Sequence, residues 1–408
     1  MKNVLLIIPN MDFGGAQRSF SKLSIGLAEK YQVTNVVFNA ADGLAYPLGG
    51  NLLSLDIVAS NSVWGKVFNF YKRISKIRKI KKAYNIEVSI SFLEGADFIN
   101  VLSRRSERII LSIRGSKQSD ETIRGVIGWL RRKVLIPLLY RRADAITVVN
   151  HGIVYELDHF YGLAPVMKKV IYNYYDLDAI TEMADEDLPA AYHAIADKPY
   201  LVFSGRLAPE KGIDKLLLAY SGMKTKHQYR FVIVGSGPMK ASLERLCTEL
   251  NFKFSDEYKE DVNVIFVGEQ KNPHTFVRRA RVFLMGSSSE GFPNGLVEAM
   301  ACQTAVISTD CPWGPREILS QVGLTSLPEY ANYGILLPML NSSGEALDQA
   351  VQLWSKTLDT VVVDEEFCKQ YGIKGFTRAR QFDREAHFRH WIECIEHSEQ
   401  ARKNVRKS

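Results

Sequence analysis

Residues Asn263 to Asp310 read "NVIFVGEQKNPHTFVRRARVFLMGSSSEGFPNGLVEAMACQTAVISTD", and the architecture follows from them. Three short apolar runs, within "NVIFVGE", "RVFLMGSS" and "TAVISTD", alternate with segments of helical pattern. The runs are continuous rather than alternating, which suits parallel strands buried on both faces. A strand ends at Gly268, a helix leads to the strand Val282–Met285, and a further helix begins near Pro293. Two glutamates eight positions apart bracket that last junction. Glu290 sits in the Gly/Pro-broken loop and Glu298 in the first turns of the helix.

The same alternation extends outward. "PYLVFSG" and "RFVIVGSG" read as strands, with helical patterns over Ile213–Met223 and Met239–Leu250. In the first half "NVLLIIP", "VTNVVFN", "VSISFLE", "RIILSIR", "AITVVN" and "KKVIYN" read as strands, with a helical pattern over Ser19–Lys30. Strands alternating with helices make this an α/β chain with doubly wound sheets. Its 408 residues suggest two domains, at roughly 100–200 residues per domain. The polar stretch "TEMADEDLPAAYHAIADK" separates the halves. Residues 1–185 are therefore read as one Rossmann-like domain and 186–373 as a second. Residues 374–408 are read as a helical segment packing back toward the first domain, through Phe376, Phe382, Phe388, Trp391 and Ile392, with a frayed polar end "QARKNVRKS". Ligands of open α/β sheets bind beyond the carboxyl ends of the strands, so two such domains are expected to line a cleft with those ends.

Apolar residues make up 46% and charged residues 24%, a globular balance. No apolar run approaches the ~18 residues of a spanning helix. "MKNVLLIIPNMDFGG" is broken by Pro9 and Asp12 and reads as a buried strand rather than a targeting segment. The five cysteines are odd in number and form no CxxC or Cys/His cluster, which favours reduced thiols in a cytosolic protein. The net charge of +7 is uneven: residues 1–180 hold 25 Lys/Arg and 15 Asp/Glu (+10), the remainder 27 and 30 (−3). An anionic surface, substrate or partner is expected on the N-terminal side.

Residues at the strand ends carry the chemistry. "FSGRLAPEKGIDK" sets Arg206 and Lys211 five apart beyond a strand, two donors suited to a diphosphate. A solvated loop whose cations pair with Glu210 fits the spacing equally. "VIVGSGPMK" turns from strand to helix through Gly235 and Gly237, either for close backbone approach or as a tight turn. The free N–H groups around Asn294, Gly295 and Leu296 form an anion site, with Gly295 leaving room for a phosphate. Glu298 can accept from ribose hydroxyls, and Glu290 can reach a sugar beyond the phosphates. Alternatively, Glu298 only favours the helix N-terminus electrostatically.

The ordered array of Gly205-Arg206, Lys211-Gly212, Val234-Gly235-x-Gly237-Pro238, Gly268, Glu290-Gly291-Phe292-Pro293 and Glu298-Ala299-Met300 resembles the retaining glycosyltransferases of family four, with the GT-B fold. "GGAQRSFSKLSIGLA", "ADAITVVNHGI" and "VIYNYYD" resemble the same family's N-terminal domain, and "STDCPWGPREIL" a variant found among bacterial surface-polysaccharide enzymes. The match runs in order from residue 1 to about residue 320. The resemblance implies that Arg206, Lys211 and the N–H groups of Gly295 and Leu296 hold a donor diphosphate, that Glu298 holds the ribose, and that Glu290 faces the transferred sugar. The backbone of Gly268, Glu269 and Gln270 would meet the base, and Gly14 and Gly15 would let the N-domain loop close. No cofactor and no divalent metal are expected, because the cations and the helix end would neutralise the diphosphate. This chain departs from many relatives by having Arg114 where they have a sugar-contacting histidine. Arg114 would contact sugar or phosphate, or pair with Glu94. His151 is a further cleft residue, or a surface or capping histidine.

The acceptor side is basic. "KVFNFYKRISKIRKIKK", Lys66 to Lys82, has eight Lys/Arg and no acid, with Val67, Phe70, Ile74 and Ile77 on one apolar face. "RGVIGWLRRKVLIPLLYRR", Arg124 to Arg142, is a second basic, apolar segment containing Trp129. Such segments suit an anionic bilayer, or helices packed on the sheet with a solvated basic face; no nucleic-acid motif accompanies them. The expected activity is transfer of a hexose or N-acetylhexosamine from a nucleotide-diphosphate sugar, a UDP-sugar, to a polyprenyl-diphosphate-linked glycan in bacterial surface polysaccharide synthesis. The expected place is peripheral, on the inner face of the cytoplasmic membrane. The alternatives are an epimerase or hydrolase of the same fold, which would turn over donor without acceptor, and a non-catalytic nucleotide-sugar-binding subunit.

Overall fold

The computed structural model describes residues 1–396 apart from 13, 41–42, 59, 61, 119–124, 321–322, 324–325 and 342. The polar tail read as frayed and Arg124 lie outside the described residues. The chain divides into two units, residues 1–173 with 385–408, and residues 174–384.

The first unit is built on seven parallel strands: β1 Asn3–Ile8, β2 Gln32–Val37, β3 Asn51–Ser54, β4 Val88–Phe92, β5 Arg108–Ile113, β6 Ala145–Val148 and β7 Lys168–Val170. Their order is β3-β2-β1-β4-β5-β6-β7, which reverses direction between β1 and β4. The period of two along β1 explains why the run is continuously apolar. Val4, Leu6 and Ile8 enter one core, with Phe20, Leu23 and Trp391. Leu5 and Ile7 enter the other, with Ile77 and Ile99.

The second unit has eight strands: β8 Tyr200–Ser204, β9 Arg230–Val234, β10 Phe254–Ser255, β11 Val264–Gly268, β12 Val282–Met285, β13 Ala305–Thr309, β14 Glu329–Tyr330 and β15 Ile335–Leu337. The order is β10-β11-β9-β8-β12-β13-β15-β14, reversing between β8 and β12; among the described residues only the β14–β15 pair is antiparallel. Both sheets follow the Rossmann order, with ligand sites expected beyond the strand ends at the reversal.

Several boundaries differ from the sequence reading. The units part at 173/174 rather than 185/186, because helix Leu177–Asp185 packs against helix His274–Arg278. The return falls at 384/385 rather than 373/374. Helix Glu365–Ala379 packs on helix Asn294–Ala301: a Cβ on Gly372 would come 2.1 Å from the Gln303 carbonyl oxygen, and one on Gly375 would touch Met300. Phe376 and Phe382 thus belong to the second unit. Helix Arg384–Glu396 belongs to the first, where Trp391, Cys394 and Ile395 are buried and Trp391 stacks on Phe92. The first helix starts at Gly15, four residues before the periodicity alone places it.

The basic helix spans Val63–Ala83, capped by Ser62, whose side chain accepts from the Gly65 N–H at 3.0 Å. Phe70, Ile74 and Ile77 face the core, but Val67 does not. The first two turns instead expose Trp64, Val67, Phe68 and Tyr71. All five cysteines are buried and free. No helix among the described residues is long and apolar enough to cross a membrane.

Candidate active site

In the second unit the loops leaving β8 and β12, the neighbours at the reversal, carry Arg206, Lys211 and Glu290. Residues Pro209–Lys211 form one 3-10 turn, and Gly212 follows with φ 62° and opens helix Ile213–Ser221. A Cβ on Gly212 would lie 2.2 Å from the Gly286 carbonyl oxygen, so only glycine lets these two loops touch. That contact brings the Lys211 ammonium to Glu290, donating to Oε1 at 2.6 Å. The Ser287 hydroxyl donates to the same oxygen at 2.7 Å. Ser287 is buried and anchored in turn by the Thr309 hydroxyl, which donates to its carbonyl at 2.6 Å. The Glu290 backbone is held on both sides: its N–H donates to Pro312 O at 3.0 Å, and its carbonyl accepts from Trp313 N–H at 3.1 Å. Arg206 is exposed and pairs with Glu210 at 2.5 Å. The pairing with Glu210 that the spacing allowed is thus the contact this cation makes. Such a surface pair contributes about 0–1 kcal/mol.

Helix Asn294–Ala301 follows, with Pro293 before it and no side-chain cap on its first turn. The Tyr175 hydroxyl donates to Asn294 Oδ1 at 2.6 Å. Glu298, partly buried, lies on the second turn. Phe292 is buried edge-on to Phe382, and Gly291 continues the loop from Glu290. A Cβ on Gly295 would meet the Ser204 carbonyl oxygen at 3.4 Å and Phe283 at 3.7 Å, ordinary contact distances. Gly235 serves packing: a Cβ there would come 2.0 Å from the Gly205 carbonyl oxygen, where the loops after β8 and β9 meet. Beyond β11, Gly268 has φ 69°, Glu269 is exposed and accepts from the Ser236 hydroxyl at 3.1 Å, and the Gln270 amide donates to Val267 O at 2.6 Å. The carboxyl ends of one sheet's strands thus carry two cations (Arg206 and Lys211), four acids (Glu210, Glu269, Glu290 and Glu298), a helix N-terminus and the glycine turns at Gly212, Gly235 and Gly268.

The first unit holds the remaining residues at its own strand ends. Gly14 is the N-cap of helix Gly15–Ala28. Glu94 opens helix Glu94–Leu102 after β4, just beyond Leu93 at φ 70°. Glu94 is taken by Arg131, at 2.8 Å from Nη2, and by Lys117 at 3.6 Å. It therefore does not pair with Arg114. Arg114 instead bonds the Ser19 hydroxyl at 3.0 Å and Asn173 Oδ1, with its guanidinium over the Phe92 ring. His151 is exposed, 3.4 Å from the Tyr172 hydroxyl; Asn150, not His151, caps its helix.

Burial pushes the Asp97 carboxyl up to about 7, although Lys117 and hydrogen bonds from Ser91 and Tyr140 oppose it. Burial likewise pushes the Cys311 thiol, two residues before Trp313, up to about 12. Among the described residues no three His, Cys, Asp or Glu side chains gather as a metal site.

Sequence reasoning missed Ser287 as a Glu290 partner, Trp313 as its backbone clamp, Tyr175 at the helix N-terminus, and Glu156. Buried Glu156 accepts from Ser116 Oγ and from the backbone N–H groups of Lys117 and Gln118 (2.6, 2.6 and 3.0 Å), fixing the loop after Arg114. A glutamate inside the otherwise apolar pattern of "GIVYELDHF" was the available signal.

Residues 185–323 match the family model "Glycosyl transferases group 1". Over 390 residues, 94% of this chain and 96% of the relative, the chain is 26% identical to N-acetylgalactosamine-N,N'-diacetylbacillosaminyl-diphospho-undecaprenol 4-alpha-N-acetylgalactosaminyltransferase of Campylobacter jejuni. It is 22% identical to a second enzyme of that organism, GalNAc-alpha-(1->4)-GalNAc-alpha-(1->3)-diNAcBac-PP-undecaprenol alpha-1,4-N-acetyl-D-galactosaminyltransferase, covering 97% of this chain and 98% of that one. Among solved structures, Anabaena HepE in complex with UDP and glucose superposes with a TM-score of 0.72 at 15% identity, covering 97% of this chain and 99% of that one.

Proposed function

Starting from a chain that is a group 1 glycosyltransferase with the GT-B fold, we propose that it moves a hexose or N-acetylhexosamine from a UDP-sugar to a polyprenyl-diphosphate-linked glycan, with retention and without a divalent metal. The acceptor class is supported by the two Campylobacter relatives, whose names specify undecaprenol-linked substrates. The observation that carries the donor site is the Lys211–Glu290 pair at the reversal of the second sheet, joined to an uncapped helix start.

In the reading we draw from this, the donor diphosphate takes Lys211 from Glu290 and Arg206 from Glu210. The N–H groups of Gly295 and Leu296 meet the phosphate, Glu298 the ribose, and the backbone of Gly268–Gln270 the base. Released from Lys211, Glu290 faces the sugar, where a carboxylate stabilises the positive charge that grows as the bond from anomeric carbon to phosphate oxygen breaks. The acceptor hydroxyl oxygen forms the new bond on the same face. Its proton passes to the departing phosphate oxygen, so the products are UDP and the lengthened glycan. Gly14 and Gly15 close from the first unit, and Arg114, held by Ser19 and Asn173, replaces a histidine toward the sugar. The exposed Trp64, Phe68 and Tyr71 beside Lys66 and Lys72 support docking of helix Val63–Ala83 on an anionic membrane surface.

A thermal-shift series with UDP, GDP, ADP and their sugars, with and without EDTA, tests the donor half. Selective stabilisation by uridine nucleotides, indifferent to EDTA, is expected. No shift with any nucleotide at millimolar concentration would overturn the donor site, and donor turnover without acceptor would favour a hydrolase.

A further inference from the structure

The first unit contains a cavity of about 390 Å³, lined by Gln118, Arg132, Lys133, Phe160 and Tyr161. That size falls among small-ligand pockets, roughly 300–1,000 Å³. The sequence reading placed Arg132 and Lys133 in a basic, apolar segment suited to an anionic bilayer and gave Gln118, Phe160 and Tyr161 no role. Among the described residues the lining holds two cations and no acid. Among the described residues neither Arg132 nor Lys133 makes an ion pair, whereas neighbouring Arg131 is buried against Glu94. The three lie in a π-helical turn, Arg131–Leu135, whose wider winding turns Arg131 toward the core while its successors line the cavity.

Two features point to a ligand. Tyr161 is 5% exposed, and its hydroxyl is buried with no hydrogen-bond partner among the described residues. Buried hydroxyls are nearly always satisfied, so an unsatisfied one in a cavity lining calls for an explanation. The wall is also preformed: Gln118 belongs to the loop that Glu156 clamps through the N–H groups of Lys117 and Gln118. One helical turn before the two cations, Trp129 and Leu130 are exposed, and Phe160 is half exposed in the lining itself. Cations with apolar side chains beside them fit a molecule whose anionic head is joined to an apolar chain. A free nucleotide would leave those apolar side chains unused.

We propose that this cavity binds the diphosphate of an isoprenoid-diphosphate-linked acceptor, with Arg132 and Lys133 on the phosphate oxygens and Trp129, Leu130 and Phe160 against the first isoprene units. The proposal rests on the lipid-linked acceptor class and names the site that receives it.

The test titrates the full chain with farnesyl diphosphate, inorganic pyrophosphate and farnesol by calorimetry, for the parent and for Arg132→Ala with Lys133→Ala. Melting temperature and the UDP-induced shift serve as controls for folding and for the donor site. Farnesyl diphosphate should bind the parent at least about tenfold tighter than pyrophosphate or farnesol, and the double variant should lose about tenfold or more with its UDP shift intact. Equal binding of farnesyl diphosphate and pyrophosphate would reduce the cavity to a free-anion site and overturn the proposal. So would unchanged binding by the double variant. If the chain elongates a polyprenyl-diphosphate glycan and the double variant keeps the same KM for it, the cavity assignment falls while the proposed function stands. If the parent binds no isoprenoid diphosphate and transfers to no lipid-linked acceptor, both fall.

Discussion

Replacing Glu290 by Gln should tighten UDP binding while slowing transfer. The carboxylate holds Lys211 at 2.6 Å, with side-chain exposures of 12% for Glu290 and 28% for Lys211. At about 4 Å between charge centres, the gross attraction is ~1 kcal/mol in water and ~4 kcal/mol at an effective dielectric near 20. Solvent reaches Lys211, so the net value lies toward the surface range, about 0.2–1 kcal/mol. A diphosphate that recruits Lys211 must first oppose that attraction. Glu290→Gln removes the charge, keeps the shape, and leaves an oxygen for the Ser287 hydroxyl. The UDP dissociation constant should therefore fall by up to about fivefold. Transfer should drop by about 10²–10³, the usual loss when a group facing transition-state charge is removed. Calorimetric titration of UDP and a coupled assay of UDP release read the two effects separately. Equal losses of affinity and rate would refute this division of roles and make Glu290 part of the nucleotide-binding unit. Lower rate with unchanged affinity would show that Lys211 never leaves its carboxylate.

Other outcomes follow from the packing and the charges. Gly235→Ala should destabilise the second unit by roughly 1–3 kcal/mol, since its Cβ would sit 2.0 Å from the Gly205 carbonyl oxygen at φ 135°; Gly295→Ala, with nothing nearer than 3.4 Å, should melt within a few degrees of the parent. Burial, with Arg114 nearby, pushes the His387 imidazole down to about 3, despite the bond its Nδ1–H donates to Tyr172 O at 2.6 Å. The unfolded chain takes up that proton below about pH 6.5 while the folded chain does not, so stability present above that pH is lost toward pH 3, by up to about 1.4 kcal/mol per pH unit. Melting curves between pH 7 and 5 should be flatter for His387→Gln, and an unchanged slope would contradict the assignment. Trp64→Ser with Phe68→Ser should weaken sedimentation with anionic vesicles at low salt by about tenfold or more without altering the melting temperature, because both rings are exposed.

Local chemistry made much of this molecule legible from the chain alone. Short, β-branched apolar runs cut by Gly-rich turns and alternating with helical patterns read as buried parallel strands, so the two α/β sheets and the strand ends bearing Arg206, Lys211 and Glu290 were legible. The two-residue strands β10 and β14 and the four-residue β3 escaped because so few residues carry no period. Tertiary structure decided what depends on neighbours distant in sequence. It exposed Val67, because the core ends beneath Phe70. It gave Glu94 to Arg131 and Arg114 to Ser19 and Asn173, choices among several cations and acceptors that spacing cannot rank. It assigned Gly235 to loop packing, since the direction of an absent Cβ is a property of the folded backbone. A sequence names which residues can meet a charge; only the assembled sheet determines which of them lie within hydrogen-bond reach.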